Sequence, residues 1–189
     1  MNRWLTAFPK RYKQNVRVVK ACLPFGWTRL SPGTIKVKIE HEHIQIPMRV
    51  YVSEIDSERI KKLTSTQQTI LLYCLYTRHH DGHVREHYLQ QLLKNHSHDG
   101  WVLAYIIELA SEYVREIVDI IVPAIEQWDP EVKRRFVEDD PAYMKRIEDR
   151  MISYWNAYYR SSGERRSEAD YPGFRIIESL REDVSVEEV

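Results

Sequence analysis

At 189 residues the chain is long enough to build a real core, and a 43% hydrophobic share beside 30% charged residues excludes wholesale disorder. Equal numbers of basic and acidic residues, 28 of each, exclude a uniformly basic or acidic protein, but the charges are segregated. Residues 1–62 carry thirteen Lys and Arg against five Asp and Glu, a net of +8, whereas 63–128 and 129–189 each carry a net of −4. The first acidic residue, Glu40, follows nine basic ones. Such a block attracts phosphates or an acidic partner, or faces the chain's own acidic remainder. Cys22 and Cys74 lie in apolar stretches and read as buried free thiols. The opening Met-Asn-Arg-Trp-Leu-Thr-Ala-Phe-Pro-Lys has no apolar run of the secretory kind, so a cytoplasmic address is expected.

In chain order, residues 9–23 fit a short helix, with Val16, Val19 and Leu23 at helical spacing, Lys13, Arg17 and Lys20 on another face, and Pro24 and Gly26 as stops. Ser31-Pro32-Gly33 is a turn signal. Ile35, Val37 and Ile39 then alternate with polar residues, as do Ile44 and Ile46 after Glu40-His41-Glu42-His43, with Val50 and Val52 beyond Pro47. Period two with β-branched residues predicts a hairpin, and Pro47 places its strand at an edge or a bulge.

From residue 64 the pattern turns helical. Thr64 and Gln67 have capping-box spacing before an Ile70, Leu71, Cys74, Leu75 stripe. Asp81-Gly82 breaks the chain ahead of a helix with Val84, Tyr88, Leu89, Leu92 and Leu93 on one side, and Asn95 to Gly100 reads as a polar loop. Asp99 is a candidate cap for a helix from Trp101. The apolar stretch from Trp101 to Ile125 holds Glu108, Glu112, Arg115, Glu116 and Asp119, which reads as core helix and not as a membrane span. A break near Ser111 and one long helix kinked at Pro123 both fit it. Asp140-Pro141 starts a helix to about Arg160 carrying Met144, Ile147, Met151, Tyr154, Trp155 and Tyr158. Residues 161–170 read as an exposed loop, Gly173-Phe-Arg-Ile-Ile as a strand or short helix, and the acidic residues from Glu182 as a frayed end.

A weak repeat runs through the helices. His83-Val-Arg-Glu-His-Tyr recurs thirty residues on as Tyr113-Val-Arg-Glu-Ile-Val, and Asp129-Pro-Glu-Val-Lys matches Asp81-Gly-His-Val-Arg. Over about residues 64–137 this resembles HEAT-type helical repeats, in which an Asp-x-x-Val-Arg segment opens the first helix of each pair. The resemblance implies that the Asp caps, the Val enters the core and the Arg reaches a carboxylate of an adjacent turn. The expected fold is mainly α, a HEAT-like helical layer with a small N-terminal β-hairpin. It is read as a single domain over 1–189, with the basic helix and hairpin in 1–63, the helical core in 64–160, and a loop and C-terminal segment in 161–189.

Six of the eight histidines lie between residues 79 and 98. His79, His80, Asp81 and His83, with His87 one turn after His83, form a candidate metal site, because neutral imidazoles bind transition metals and an i, i+4 pair shares a helix face. His80-Asp81 also resembles the paired ligands of HD-type phosphohydrolases, although the predicted helix over 66–77 contains no His. The competing reading has Asp81 as a cap, Gly82 as the turn, and His83 and His87 on a polar face. His96 and His98 read as solvated loop residues, and the aromatic run from Ser153 to Arg160 as core before base-stacking platform.

No phosphate loop, nucleophile elbow, Cys-x-x-Cys or His-Glu-x-x-His is present, so no catalytic residue and no cofactor is assigned. The expectation is a protein–protein interaction or assembly module. The alternatives are nucleic-acid binding through Lys10, Arg11, Lys13, Arg17 and Lys20, and a metal-dependent hydrolase built on the histidine cluster. The expected partner is a protein, with nucleic acid second and no membrane.

Overall fold

The computed structural model describes residues 3–24, 29–94, 99–112, 114–159 and 171–182, with backbone alone at 115, 159 and 182. Gly26, His96, His98, Tyr113, Arg160, the segment 161–170 and the chain end from 183 lie outside the described residues. The chain divides into two compact units, Met1–Ser97 and His98–Val189. It is mainly helical, with packed helices and two small two-stranded sheets. Among the described residues, no helix is long and apolar enough to cross a membrane.

In the first unit, α1 (Arg3–Thr6) and a 3-10 turn (Lys10–Tyr12) lead into α2 (Lys13–Cys22). Val16 and Val19 are buried, and Leu23, forced out of the helical region by Pro24, is extended at the C-cap. Cys22 is half-buried and Cys74 fully buried, and neither forms a disulfide among the described residues. Strands β2 (Thr34–Ile39) and β3 (Glu42–Pro47) form the expected hairpin, with Ile35 opposite Ile46 and Val37 opposite Ile44. Its tight turn puts Glu40 and His41 at φ 50° and 66°, the positive values that match the twist of the flanking strands. Val50 does not extend the hairpin. Pro47 has no N–H to continue the ladder, and the chain crosses instead to β4 (Val50–Tyr51), which pairs with β1 (Arg29–Leu30).

After a one-turn helix, α3 (Ser57–Ile60), come α4 (Thr66–Tyr76) and α5 (Gly82–Lys94). The capping box sits one residue later than Thr64 and Gln67. Ser65 Oγ accepts from the Gln68 amide at 3.3 Å, and Gln68 Oε1 accepts from the Thr64 amide at 2.8 Å. Burial of Gln68 fixes this register. The apolar side of α4 is also wider than the predicted stripe: Leu72 and Tyr76 are buried as well, because α2 and α5 both pack against it.

The second unit begins with α6 (Gly100–Ala110), buried at every residue, as expected of a helix that is apolar all round. Asp99 occupies its N-cap position but its side chain makes no capping bond. Ser111 ends α6, its Oγ donating to Glu108 O at 3.0 Å, and α7 (Arg115–Glu126) starts afresh, so the stretch is two helices. Pro123 lies exposed within α7. Asp129 and Asp140 cap α8 (Pro130–Asp139) and α9 (Pro141–Tyr154), each with Pro at the first position. A π-helical turn, Trp155–Tyr159, extends α9. Trp155 is buried, while Tyr158 is exposed and stacks on Tyr154. The Gly173-Phe-Arg-Ile-Ile segment is helical, within α10 (Pro172–Glu182), which packs on α7 and α8.

Ile106, Ile117 and Ile121 are each 0% exposed. Replacing any of them by Ala is expected to cost about 2–5 kcal/mol in a urea titration, and near-neutral values at all three would show the helical register to be wrong.

Candidate functional site

The histidine turn is built from the end of α4. Thr77, Arg78 and His79 are all buried, an unusual place for such residues. The reason lies in the hairpin, whose exit leaves a row of carbonyls that need donors. Arg78 Nε and Nη2 donate to the Pro47 and Met48 carbonyls at 3.3 and 2.9 Å. Tyr76 Oη donates to Ser53 O at 2.8 Å. The Val50 amide donates to Arg78 O at 2.7 Å and the His80 amide to Val50 O at 3.0 Å, a parallel bridge between Val50 and His79. Arg85, reaching back from α5, donates through Nη1 to the His79 and His80 carbonyls at 3.0 and 3.1 Å.

Both nitrogens of His79 are engaged. Nε2 lies 2.7 Å from Val52 O, and Nδ1 accepts from the Asp81 amide at 3.1 Å, which sets Nε2 as the protonated nitrogen. The ring is stacked against Tyr76 and tilted against His80. Burial holds its pKa below the usual imidazole value, against the opposing bond to Val52 O. Tyr76 and Tyr88 pack at 4.4 Å, and burial pushes the Tyr88 phenol up to about 12. Asp81 accepts from the His83 and Val84 amides at 2.8 and 3.4 Å, and these bonds hold its carboxyl below the usual range. His80 is exposed and stacks on Tyr51, while His83 and His87 are exposed on α5. The five residues grouped by spacing are thus divided between a buried bond pair, a surface stack, a helix cap and a solvent face. Among the described residues, no three His, Cys, Asp or Glu side chains are placed to hold a metal ion.

The basic segment presents a different geometry. Lys10, Arg11, Lys13, Arg17 and Lys20 are all exposed. Arg11 is tied to Glu40 across the hairpin turn and lies over the Tyr12 ring, and its bond to Glu40 holds its pKa above the usual value. The other four form no ion pair among the described residues. Lys10 donates its backbone amide to Glu42 at 3.0 Å, Arg17 donates to Gln14 at 3.1 Å, and the Lys20 ammonium sits 5.9 Å from the Trp4 ring centroid.

The second unit holds buried charges that the sequence pattern does not single out. Glu108, on the all-apolar α6, is fully buried, with Oε2 accepting from Arg150 Nη1 at 3.0 Å and Oε1 without a hydrogen-bond partner among the described residues. Glu112, one turn on, is also buried. Lys133 is buried and donates to Ser179 O at 3.2 Å. Lys133 and Arg85 occupy the same place in the repeated segment, and both bond backbone carbonyls. The repeat valines, Val84 and Val132, are half-buried.

Comparison with models of known protein families, with curated proteins and with solved structures finds no match.

The unfolded chain protonates an imidazole at about 6.5, and folded His79 does so only at lower pH, so its share of stability is full above that value and falls as pH drops through it. Urea midpoints at pH 7.5 and 5.0 are expected to diverge less in His79→Gln than in the wild type; an equal divergence would reject this role. Arg150→Met, which strands the Glu108 carboxylate, is expected to cost about 3 kcal/mol, the low end for breaking a buried pair because Arg150 is partly solvated. The Glu108→Gln/Arg150→Met double variant should recover part of that loss in the same titration.

Proposed function

We propose that the chain is a protein–protein interaction or assembly module without catalytic chemistry of its own, acting in the cytoplasm. The observation that carries this reading is the charge of the two compact units. Met1–Ser97 has sixteen Lys and Arg against seven Asp and Glu, a net of +9. His98–Val189 has twelve against twenty-one, a net of −9. Opposite fields of this size steer encounters with charged partners and select among them. In this reading the helices behave as a HEAT-like layer. Its support is that Asp81 and Asp129 each cap a helix, four positions ahead of an Arg or Lys that is buried on backbone carbonyls. Helix pairs of this kind present exposed faces to a partner.

Co-purification from the native source at low salt, followed by reconstitution from purified components, tests the reading. A stoichiometric protein partner that rebinds, and dissociates as salt is raised, is the expected result. Nucleic acid recovered without protein would transfer the function to the alternative carried by Lys10, Arg11, Lys13, Arg17 and Lys20. A stoichiometric transition metal that is lost in His83→Ala and His87→Ala would make the hydrolase reading the leading one.

A further inference from the structure

Four cations recur along the first unit at spacings of three, four and three residues: Lys10, Lys13, Arg17 and Lys20. With about 3.6 residues per helical turn, these spacings align them on one face of the 3-10 turn and of α2. Val16 and Val19 are buried along one flank of this row, and the four cations beside them are exposed. The helix is also tied down. Arg59 Nη1 donates to Leu23 O at 3.1 Å, just past its end, and Asn15 Oδ1 accepts from Gln68 of α4 at 3.5 Å. The cations therefore stand on a pre-formed frame, which lowers the ordering cost of binding. Among the described residues none of the four forms an ion pair; in the neighbouring hairpin Glu40 holds Arg11, and Glu42 accepts from the backbone amide of Lys10.

We propose that this face of α2 docks an acidic helix of a partner protein, an inference that rests on reading the chain as an interaction module. Charge complementarity sets the occupant. A helix with Asp or Glu at spacings of three and four offers one carboxylate per cation along the same line. A nucleic-acid strand fits this face less well. Trp4 and Tyr12 are half-buried, with Lys20 and Arg11 over their rings, and are not presented for stacking on bases.

The test uses the full chain and three probes: an Ala-rich helical peptide with Glu at spacings of three, four and three; a scrambled peptide of the same composition; and a duplex DNA oligonucleotide. Fluorescence anisotropy reads binding at low and physiological salt for the wild type, for Lys13→Glu/Arg17→Glu/Lys20→Glu, and for a control of equal net charge, Arg29→Glu/Lys61→Glu/Lys62→Glu. The patterned peptide is expected to bind best. The stripe variant should weaken it about tenfold or more, and the control by no more than about twofold, since exposed pairs contribute modestly and only in register. If the stripe variant does not fold, Lys13→Gln/Arg17→Gln/Lys20→Gln supplies the same comparison. Equal binding of the scrambled peptide, equal loss in the control, or displacement of the peptide by DNA would each overturn the proposal. A reconstituted native partner that binds the stripe variant undiminished would remove this surface while leaving the module reading intact. Failure to find any partner would remove the module reading whatever the peptide does.

Discussion

Backbone carbonyls at the exit of the hairpin have to be paired, and most of the first unit is arranged around that need. Pro47 ends the β2–β3 ladder, and the carbonyls that follow belong to the buried Pro47, Val50 and Val52 and to the more exposed Met48 and Ser53. An unpaired buried carbonyl costs free energy comparable to a lost hydrogen bond. The turn between α4 and α5 answers each: Arg78 takes two, Tyr76 and His79 one each, and the His80 amide another. Arg85 then closes the turn's own carbonyls from the first turns of α5. Sheet and helices are joined by this exchange, and it decides what the polar residues of the turn can do. His79 has no lone pair left for a metal, because one nitrogen carries a proton toward Val52 and the other receives the Asp81 amide.

The second unit is governed by a helix with no wet side. Every residue of α6 is buried, so Glu108 is carried inside by its neighbours and not by any attraction of its own. Its charge is met by Arg150 from α9, which stands next to the buried Met151 and one turn from the buried Ile147. A pair of this kind is a weak source of net stability but penalises any packing that separates α9 from α6. The end of α6 at Ser111 follows the same logic, since the serine hydroxyl occupies the Glu108 carbonyl where the helix stops.

Local chemistry was legible in the sequence, and chemistry that depends on distant residues was not. Asp81, Asp129 and the Asp140-Pro141 pair mark real helix starts because capping involves atoms two or three residues away. Alternation of Ile35, Val37 and Ile39 with lysines identifies a strand for the same reason. The Glu40-His41 turn carries neither Gly nor Asn, so nothing in its composition announced two positive φ values. Of the grouped histidines, the fate of His79 was set by a carbonyl 27 residues upstream, and spacing within the cluster could not reveal that. Arg11 has the same character as Lys13 in the sequence, yet a glutamate 29 residues away neutralises it. The burial of Arg78 and Lys133 left no signal, because each sits among residues whose own pattern fits an ordinary helix end or polar face, whereas Glu108 lies in a stretch apolar enough to carry it inside.

These contrasts sort the cations of the chain by what their donors meet. Arg78, Arg85 and Lys133 have their N–H groups directed at backbone carbonyls in the interior, and a guanidinium or ammonium held that way positions chain segments and is screened from solution. Arg134, Arg135 and Lys145 pair with glutamate or aspartate three or four residues away, which cancels their field within one helix. Lys10, Lys13, Arg17 and Lys20 do neither. They face water on a helix flanked by the buried Val16 and Val19, and in their own hairpin Glu40 pairs with Arg11 while Glu42 accepts from a backbone amide. An exposed like-charged row raises the energy of the folded state through mutual repulsion, by a small amount per pair at one-turn spacing. That cost persists in the isolated chain, and in the docking proposed above the carboxylates of an acidic helix would relieve it.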